Sequence, residues 1–323
     1  MTAPTLAYRG ADEPVLVIHP ERREAFAREI STSGFGKTFP GEALETRGDG
    51  LDVIRIRDLL ESRGTRVVIA AGGDGTVSTV ARGLLEIPDY RRPNLAILPL
   101  GTANNVARSF GLLSVRVDGA TAARRTLASI DSEHSRRIDV GEANGIPFVG
   151  SFALGMDAAI LRLRNRLRDQ LRLNGALGGY PLYLASTALQ GIAHAKVKAR
   201  TELDGVHSEG PIYNLLVTSC PVYAGEFRFG GPGGVPPGAL GVHAFRGRAQ
   251  YLKAYVAAWR RHVNHNRGLR TYEPETTQRC RELRVRLPAP ATAQIDGEEI
   301  PATDDWQIRF RPSALRLLLP PTA

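Results

Sequence analysis

Val67-Val68-Ile69-Ala70-Ala71-Gly72-Gly73-Asp74-Gly75-Thr76 is the stretch on which the reading of this chain turns. An apolar, β-branched run enters Gly-Gly-Asp-Gly, and the helical spacing of Val77, Val80, Ala81, Leu84 and Leu85 follows at once. The pattern predicts a strand, a tight glycine turn and a helix N-terminus. Glycines accept φ > 0 and let a phosphate approach bare backbone. The free N–H groups and dipole of the helix start favour an anion at the same place. Asp74 stands inside this turn, where a carboxylate repels a bare polyphosphate. It is better explained as a metal partner or a proton acceptor, so the turn points to phosphoryl transfer rather than simple anion binding.

Outward from this turn, strands and helices alternate. Strands are expected at Pro14–His19, Ala43–Thr46, Arg66–Ala71 and Asn94–Leu98, and helices at Glu21–Ile30, Ala103–Phe110 and Gly119–Ile130, with a loop over Ser31–Pro40. Asp49–Arg63 fits partial strand alternation as well as a helix; the helix is preferred because it alternates with the next strand. This order argues for a parallel sheet covered on both faces. The character changes near Asp131. A hairpin with Asn144-Gly145 at its turn is expected, then helices at Ala158–Leu173, Tyr180–Ala193 and Tyr251–Val263 among short β-like runs. The reading is an α/β domain over residues 1–132 and a β-rich domain over 133–313. A last strand, Ala314–Leu319 within 314–323, returns to the first domain.

At 323 residues the chain is long enough for two domains. Its net charge of +9 suits nucleotide, anionic lipid or nucleic acid, and charge alone does not choose among them. Cys220 and Cys280 form no metal-ligand or disulfide spacing, which fits a reducing cytoplasm. Met1 to Glu13 lacks a signal peptide's apolar core, and no apolar run approaches the ~20 residues of a membrane span.

Two further motifs carry chemistry. Pro99-Leu100-Gly101-Thr102-Ala103-Asn104-Asn105-Val106-Ala107-Arg108 follows another strand and offers a glycine, a hydroxyl and two amides at a helix start. By itself it reads as a helix capped by Thr102 or Asn104. Beside the first turn it reads as the second wall of a nucleotide cleft, at the carboxyl ends of the strands. Gln294-Ile295-Asp296-Gly297-Glu298-Glu299 reads either as a hairpin turn or as a carboxylate pair delivered to that cleft.

Together the three motifs resemble the diacylglycerol kinase catalytic family, which includes bacterial lipid kinases, sphingosine kinases and ceramide kinases. The likeness runs over nearly the whole chain. Gly72–Thr76 also occurs in NAD kinases, but Pro99–Arg108 is closer to the lipid kinases' P-x-G-T-x-N-D-x-A-R, and Ile295–Glu298 matches their terminal D-G-E. Asp139-Val140-Gly141 and Gly155-Met156-Asp157-Ala158 look like family landmarks, and Thr46 before Gly48-Asp49 resembles the family's nucleotide-contacting threonine.

The resemblance implies a lipid-kinase-like α/β domain, a β-sandwich-like second domain, and ATP with Mg²⁺ between them. It implies that Gly72, Gly73, Gly75 and Thr76 cradle phosphate, that Thr46 and Thr102 contact nucleotide, and that Gly101 and Asn104 shape the second loop. Glu298 is then the general base, with Asp74 its rival, while Asp74 and Asp296 organise Mg²⁺. The implied reaction passes the γ-phosphate of ATP to a lipid hydroxyl of the diacylglycerol, ceramide or sphingoid kind. It takes place at an anionic inner membrane surface, with no nucleic acid involved and the oligomeric state left open.

Three departures stand out. His19-Pro20-Glu21-Arg22-Arg23 replaces the family's N-P-x-S/A-G, Asn105 replaces an aspartate, and Val235–Val242 skips an Asp-Gly that joins a metal site. An active kinase is favoured over a catalytically impaired nucleotide- or lipid-binding regulator, or a kinase of a soluble alcohol. Ile160–Leu173, with five arginines among leucines, reads as a packed helix with a basic face or as one lying on an anionic membrane. Tyr251, Tyr255 and Trp259 share a helix face that reads as core, and His262 and His265 read as surface residues.

Overall fold

The computed structural model describes residues 13–33, 42–113, 119–132, 134–171, 180–229, 238–267 and 278–320. Residues 34–40 of the expected loop, 172–173 of the expected helix end, 230–237 of the Gly/Pro-rich segment and 321–323 of the return strand lie outside the described residues.

In the N-terminal half, β1 (Val15–Ile18), β2 (Ala43–Glu45), β3 (Val67–Gly72) and β4 (Asn94–Pro99) pair in parallel in the order β2-β1-β3-β4. Their runs are apolar without alternation because both faces are covered. Val15, Val17, Val68 and Ala70 pack towards α2 (Asp52–Arg63) and α3 (Asp74–Glu86), meeting Ile56, Leu60, Val77, Val80 and Leu84. The alternate residues Leu16, Ile18, Ile69 and Ala71 pack towards α1 (Arg23–Ser33) and α5 (Gly119–Ser132), meeting Ile30, Ala123 and Leu127. The doubly covered parallel sheet read from the sequence is present. The ambiguous stretch is a helix, beginning at Asp52 rather than Asp49 and ended by Gly64 at φ +61°. Between β4 and α5 lies the short α4 (Asn105–Ser109), two residues shorter at its start than expected.

The C-terminal half is β-rich. β5 (Ser135–Ala143) and β6 (Ile146–Phe148) form the expected hairpin, with Asn144 and Gly145 both at positive φ. β7 (Ser151–Gly155), β8 (Val197–Leu203), β9 (Val206–Ile212), β10 (Asn214–Thr218), β13 (Leu240–Phe245) and β14 (Gln278–Cys280) follow. A separate pair, β11 (Val222–Tyr223) and β12 (Phe227–Arg228), stands apart. β15 (Glu282–Ile295) turns through Asp296-Gly297 into β16 (Glu298–Leu318).

The β-rich second half is present as expected, and its hydrogen bonding runs on into the first. A single 14-stranded sheet joins both halves, with β16 bonded to β15 and β5 and meeting β4 at Leu317↔Leu95. The sheet curls so that Phe152, Leu154, Leu215, Val217, Val285 and Trp306 share one core. Residues 314–318 are therefore the end of a 21-residue strand, not a separate one.

Three helices complete this half: α6 (Met156–Gln170), α7 (Tyr180–Ala193) and α8 (Arg248–Asn266). On α8, Tyr251, Tyr255, Ala258 and His262 are buried, whereas Trp259 is about half exposed. His262 is thus an interior residue, because the buried stripe repeats for one turn more than the aromatic residues mark. Both cysteines are buried and free.

Candidate active site

The two glycine turns touch. Leu100 N–H donates to Gly72 O at 2.9 Å, and a Cβ on Gly101 would lie 2.4 Å from Gly73 Cα. A Cβ on Gly72 would strike Thr76 Oγ1 at 2.2 Å. Backbone proximity, rather than flexibility, requires glycine at these positions. Gly75 faces open space, and Gly73 caps α3 without a side chain, leaving the first N–H groups of α3 for a ligand.

Asn104 sits at φ +48° and clasps Gly101. Gly101 N–H donates to its Oδ1 at 3.0 Å, and its Nδ2 donates to Gly101 O at 2.8 Å. Neither Thr102 nor Asn104 caps α4 as the isolated motif suggests. Asp74 does so from the neighbouring turn, Val106 N–H donating to its Oδ1 at 3.3 Å. Asn105, where an aspartate was expected, accepts the Gly225 N–H at 2.7 Å and so ties this loop to the second half. Thr46 follows β2 at the same carboxyl edge of the sheet; it is buried, and its hydroxyl has no partner.

The three acids occupy different environments. Asp74 is partly buried, and desolvation pushes its carboxyl up to about 6, with Asp296 adding in the same direction and the N–H groups at the start of α4 opposing. Asp296 sits in the β15–β16 turn at φ +51° and is fully engaged. Its Oδ1 accepts from Gly150 and Ser151 N–H at 2.8 Å each, and its Oδ2 from Val149 N–H at 3.0 Å and Ser78 Oγ at 2.9 Å. Burial raises its pKa while these donors pull it down. Glu298, two residues on, pairs instead with Arg82 of α3, Nη1 to Oε2 at 2.7 Å.

In this arrangement the protein's own donors surround the Asp296 carboxylate. A carboxylate has about four acceptor sites, and protein donors fill all four, so no lone pair is left for Mg²⁺. Among the described residues no three His, Cys, Asp or Glu side chains group as a metal site. Among the described residues, the Asp74 carboxylate keeps acceptor capacity beyond its one contact with the Val106 N–H.

A cavity of about 390 Å³ adjoins the two turns, lined by Asp74, Thr102, Asn105, Gly150, Asp296 and Tyr223 among others, and Glu298 is not on its wall. Its α6 side presents Asp157, Leu161 and Arg164, and its α7 side Tyr183. Asp157, marked in the sequence only as a landmark, lines the same cavity. It accepts from Tyr251 OH at 2.8 Å, Tyr255 OH at 2.5 Å and Asn214 Nδ2 at 2.8 Å, and burial raises its pKa. An acid at the start of a helix among alanines and methionine was the available signal. Nothing in the sequence marked Arg82 or Ser78.

Comparison with known proteins agrees with this geometry. Residues 22–143 match the family model of the diacylglycerol kinase catalytic domain, a segment that holds both glycine turns. The "Probable lipid kinase YegS-like" protein of Chromohalobacter salexigens is 33% identical over 141 residues, covering 44% of this chain and 41% of that protein. The "Diacylglycerol kinase" of Bacillus subtilis is 33% identical over 154 residues, covering 47% and 46%. The match therefore spans less than half the length of these curated relatives. The fold likeness extends further. A crystal structure of a diacylglycerol kinase from Bacillus anthracis superposes with a TM-score of 0.68 over 97% of this chain and 99% of that one, at 19% identity. The resemblance read from the motifs is upheld, and the fold is similar to that of the Bacillus anthracis protein.

Proposed function

We propose that the protein is an ATP-dependent lipid kinase and that Asp74 takes the acceptor's proton. The observation that carries this reading is the position of Asp74. It lies at the junction of two abutting glycine turns, on the wall of a cavity, with a pKa raised to about 6. The turns suit phosphate, and a base near neutrality suits a hydroxyl proton. In the proposed step the acceptor oxygen bonds to the γ-phosphorus, the bond from that phosphorus to the β–γ bridging oxygen breaks, and ADP leaves. The hydroxyl proton passes to Asp74. Gly72, Gly73, Gly75, Thr76 and Gly101 place the phosphates, with Thr46 and Thr102 beside the nucleotide. Kinases of this kind use a divalent cation to screen the phosphates. Any Mg²⁺ here takes most of its ligands from ATP and water.

Asp296 is a positioning residue in this reading. It holds the 149–151 backbone and Ser78 of α3 against the β15–β16 turn. Glu298, the base implied by the resemblance, gives that role to Asp74 because Arg82 already neutralises it and it does not face the cavity.

Association with a membrane surface is supported by α7. Leu184, Leu189 and Ile192 are exposed on this helix, whose residue Tyr183 lines the cavity. Arg162 and Arg166 are exposed on α6, which packs beside it. Among the described residues no helix is long and apolar enough to cross a membrane. The test is transfer of label from [γ-³²P]ATP to diacylglycerol, ceramide, a sphingoid base and a total lipid extract. A labelled lipid is expected; labelling of none, by folded protein with Mg²⁺, overturns the reading.

A further inference from the structure

The small β11–β12 pair links α4 to α8. Val222, opposite Arg228 in that pair, donates its N–H to Ser109 Oγ of α4 at 3.1 Å. From α8, Arg261 Nη1 donates to Arg228 O at 3.2 Å. Arg228 is the one buried arginine among the described residues, 9% exposed, and its Nε is buried without a partner. His262 of α8 is equally buried, and its Nδ1 also lacks a partner. Asn266 Nδ2 donates to His262 Nε2 at 2.9 Å, which leaves the ring proton on Nδ1. Two interior N–H groups on neighbouring elements therefore have no acceptor.

The charges around them are all of one sign. Burial, and then Arg228, Arg108 and His265, push His262 down to about 4. Burial and Arg228 lower His265, which is exposed on the same side of α8. No carboxylate offsets these effects at Arg228, His262 or His265. The group that favours the charge of Arg228 is the Cys220 thiol, which burial keeps protonated, its pKa pushed up to about 12. Arg108 closes the second glycine loop, donating Nε to Ala103 O at 2.8 Å, and lines the cavity beside Asp74; Arg228, His262 and His265 do not.

A guanidinium held out of water without a counter-ion is expensive for a fold unless a ligand supplies the anion. Donors here come from three elements, so an anion with several oxygens in a tetrahedron meets more of them than a flat carboxylate does, and a guanidinium fork takes two of those oxygens at once. We propose that Arg228, His262, His265 and Arg108 form a binding site for a phosphate group, behind the second glycine turn and separate from the turns that take the phosphates of ATP. The phosphate is that of a free anion or of a lipid headgroup. The site goes beyond the lipid-kinase reading and does not depend on it.

The test is calorimetric titration of the full chain with inorganic phosphate, with a non-hydrolysable ATP analogue and Mg²⁺ present in excess to fill the glycine turns. The wild type is expected to bind phosphate. Arg228→Gln is expected to weaken binding by about tenfold or more, as for loss of hydrogen bonds to a charged group, and Arg228→Lys to recover part of the loss. His265 is exposed, so His265→Gln keeps the fold and is expected to weaken binding by a smaller factor; it decides the point if Arg228→Gln does not fold. A second arm measures co-sedimentation with phosphatidylcholine vesicles, with and without phosphatidic acid. Losses in these variants with inorganic phosphate assign the site to a free anion, and losses confined to phosphatidic acid vesicles assign it to a lipid headgroup. Binding that both variants retain in full, or phosphate that binds only when the analogue is absent, overturns the proposal, as does a wild type that binds neither probe. Neither arm requires turnover, so failure here leaves the kinase reading standing, and failure to label any lipid leaves this site standing.

Discussion

Arg82 Nη1 donates to Glu298 Oε2 at 2.7 Å, while Arg82 Nε reaches Pro147 O at 3.3 Å. The Glu298 carboxylate is thereby tied to α3 and the β5–β6 hairpin. That ion pair occupies the carboxylate, and Glu298 is not on the cavity wall. Glu298→Gln is expected to keep activity within about tenfold of the wild type. Asp74→Asn is expected to lose about a hundredfold or more, the range for removal of a general base. Initial rates of lipid labelling by the two variants check the assignment, and the reverse order of losses would return the role to Glu298.

The raised pKa of Asp74 has two consequences with opposite value to the cell. Its proton must leave before it can serve as a base, so kcat/KM is expected to rise as pH passes through about 6. Stability runs the other way. The folded state holds the proton more tightly than the unfolded chain, so the penalty is absent below pH 3.8 and complete above about 6. The shift corresponds to about 3 kcal/mol. Asp74→Asn is therefore expected to be more stable than the wild type at pH 7.5 and to lose much of the gain at pH 4. Urea unfolding at the two pH values measures this, and a variant no more stable at pH 7.5 contradicts the desolvated-base picture.

Asp296 accepts from four donors, three on the 149–151 segment and one on α3, so its replacement is expected to act on the fold before the chemistry. Asp296→Asn puts an NH₂ group where two donors point and is expected to cost roughly 3 kcal/mol. A lowered urea midpoint, with rates at low temperature much less affected than those of Asp74→Asn, is the expected pair of results. Lost turnover with an unchanged midpoint would instead place Asp296 in contact with substrate.

The contrast between these acids explains what the sequence could and could not show. The β3–α3 turn was legible because an apolar run, glycines and helical spacing all agree locally. Asp296 and Glu298 were visible as a pair, but not their divergence, because Asp296 takes φ +51° and the turn sends the next acid to Arg82. The cap of α4 was assigned to Thr102 or Asn104 because its real partner, Asp74, comes from the neighbouring strand–helix unit. The apolar run Ala314–Leu319 reads from sequence as a strand of its own, whereas residues 314–318 are the end of β16. Ser313 takes φ +49° between shifted registers, yet the pairing with β5 resumes beyond it. Local rules located the elements; partners supplied across the fold set the directions of their side chains.

Gly101 tests whether the two turns act as one unit. An added Cβ would lie 2.4 Å from Gly73 Cα and 2.8 Å from Asn104 Oδ1. Backbone cannot yield as a flexible side chain does, so the turns must separate. Gly101→Ala is expected to cost about 1–3 kcal/mol, as overpacking does, and to raise KM for ATP more than KM for the lipid. Steady-state kinetics with each substrate varied decide the point; equal effects on both would mean the turns do not form the nucleotide site. Gly210→Ala, away from both turns, meets nothing within 4 Å and serves as the mild control.

The exposed face of α7 is the last feature the reading must account for. Leu184, Leu189 and Ile192 are 50%, 53% and 80% exposed on a helix with no charged residue. Water contact at these side chains is unfavourable by about 25 cal/mol per Å² of apolar surface, while acyl chains would cover the same atoms. Replacing all three with Gln leaves the core residues Leu182 and Ser186 untouched, so the fold is expected to stay intact. Binding to anionic liposomes is expected to fall by about tenfold or more, and turnover on vesicle-borne lipid to fall with it. Turnover on a short-chain acceptor dispersed below its micelle concentration is expected to remain. If the triple variant co-sediments with liposomes as the wild type does, the basic face of α6 alone carries the membrane contact, and α7 faces something else.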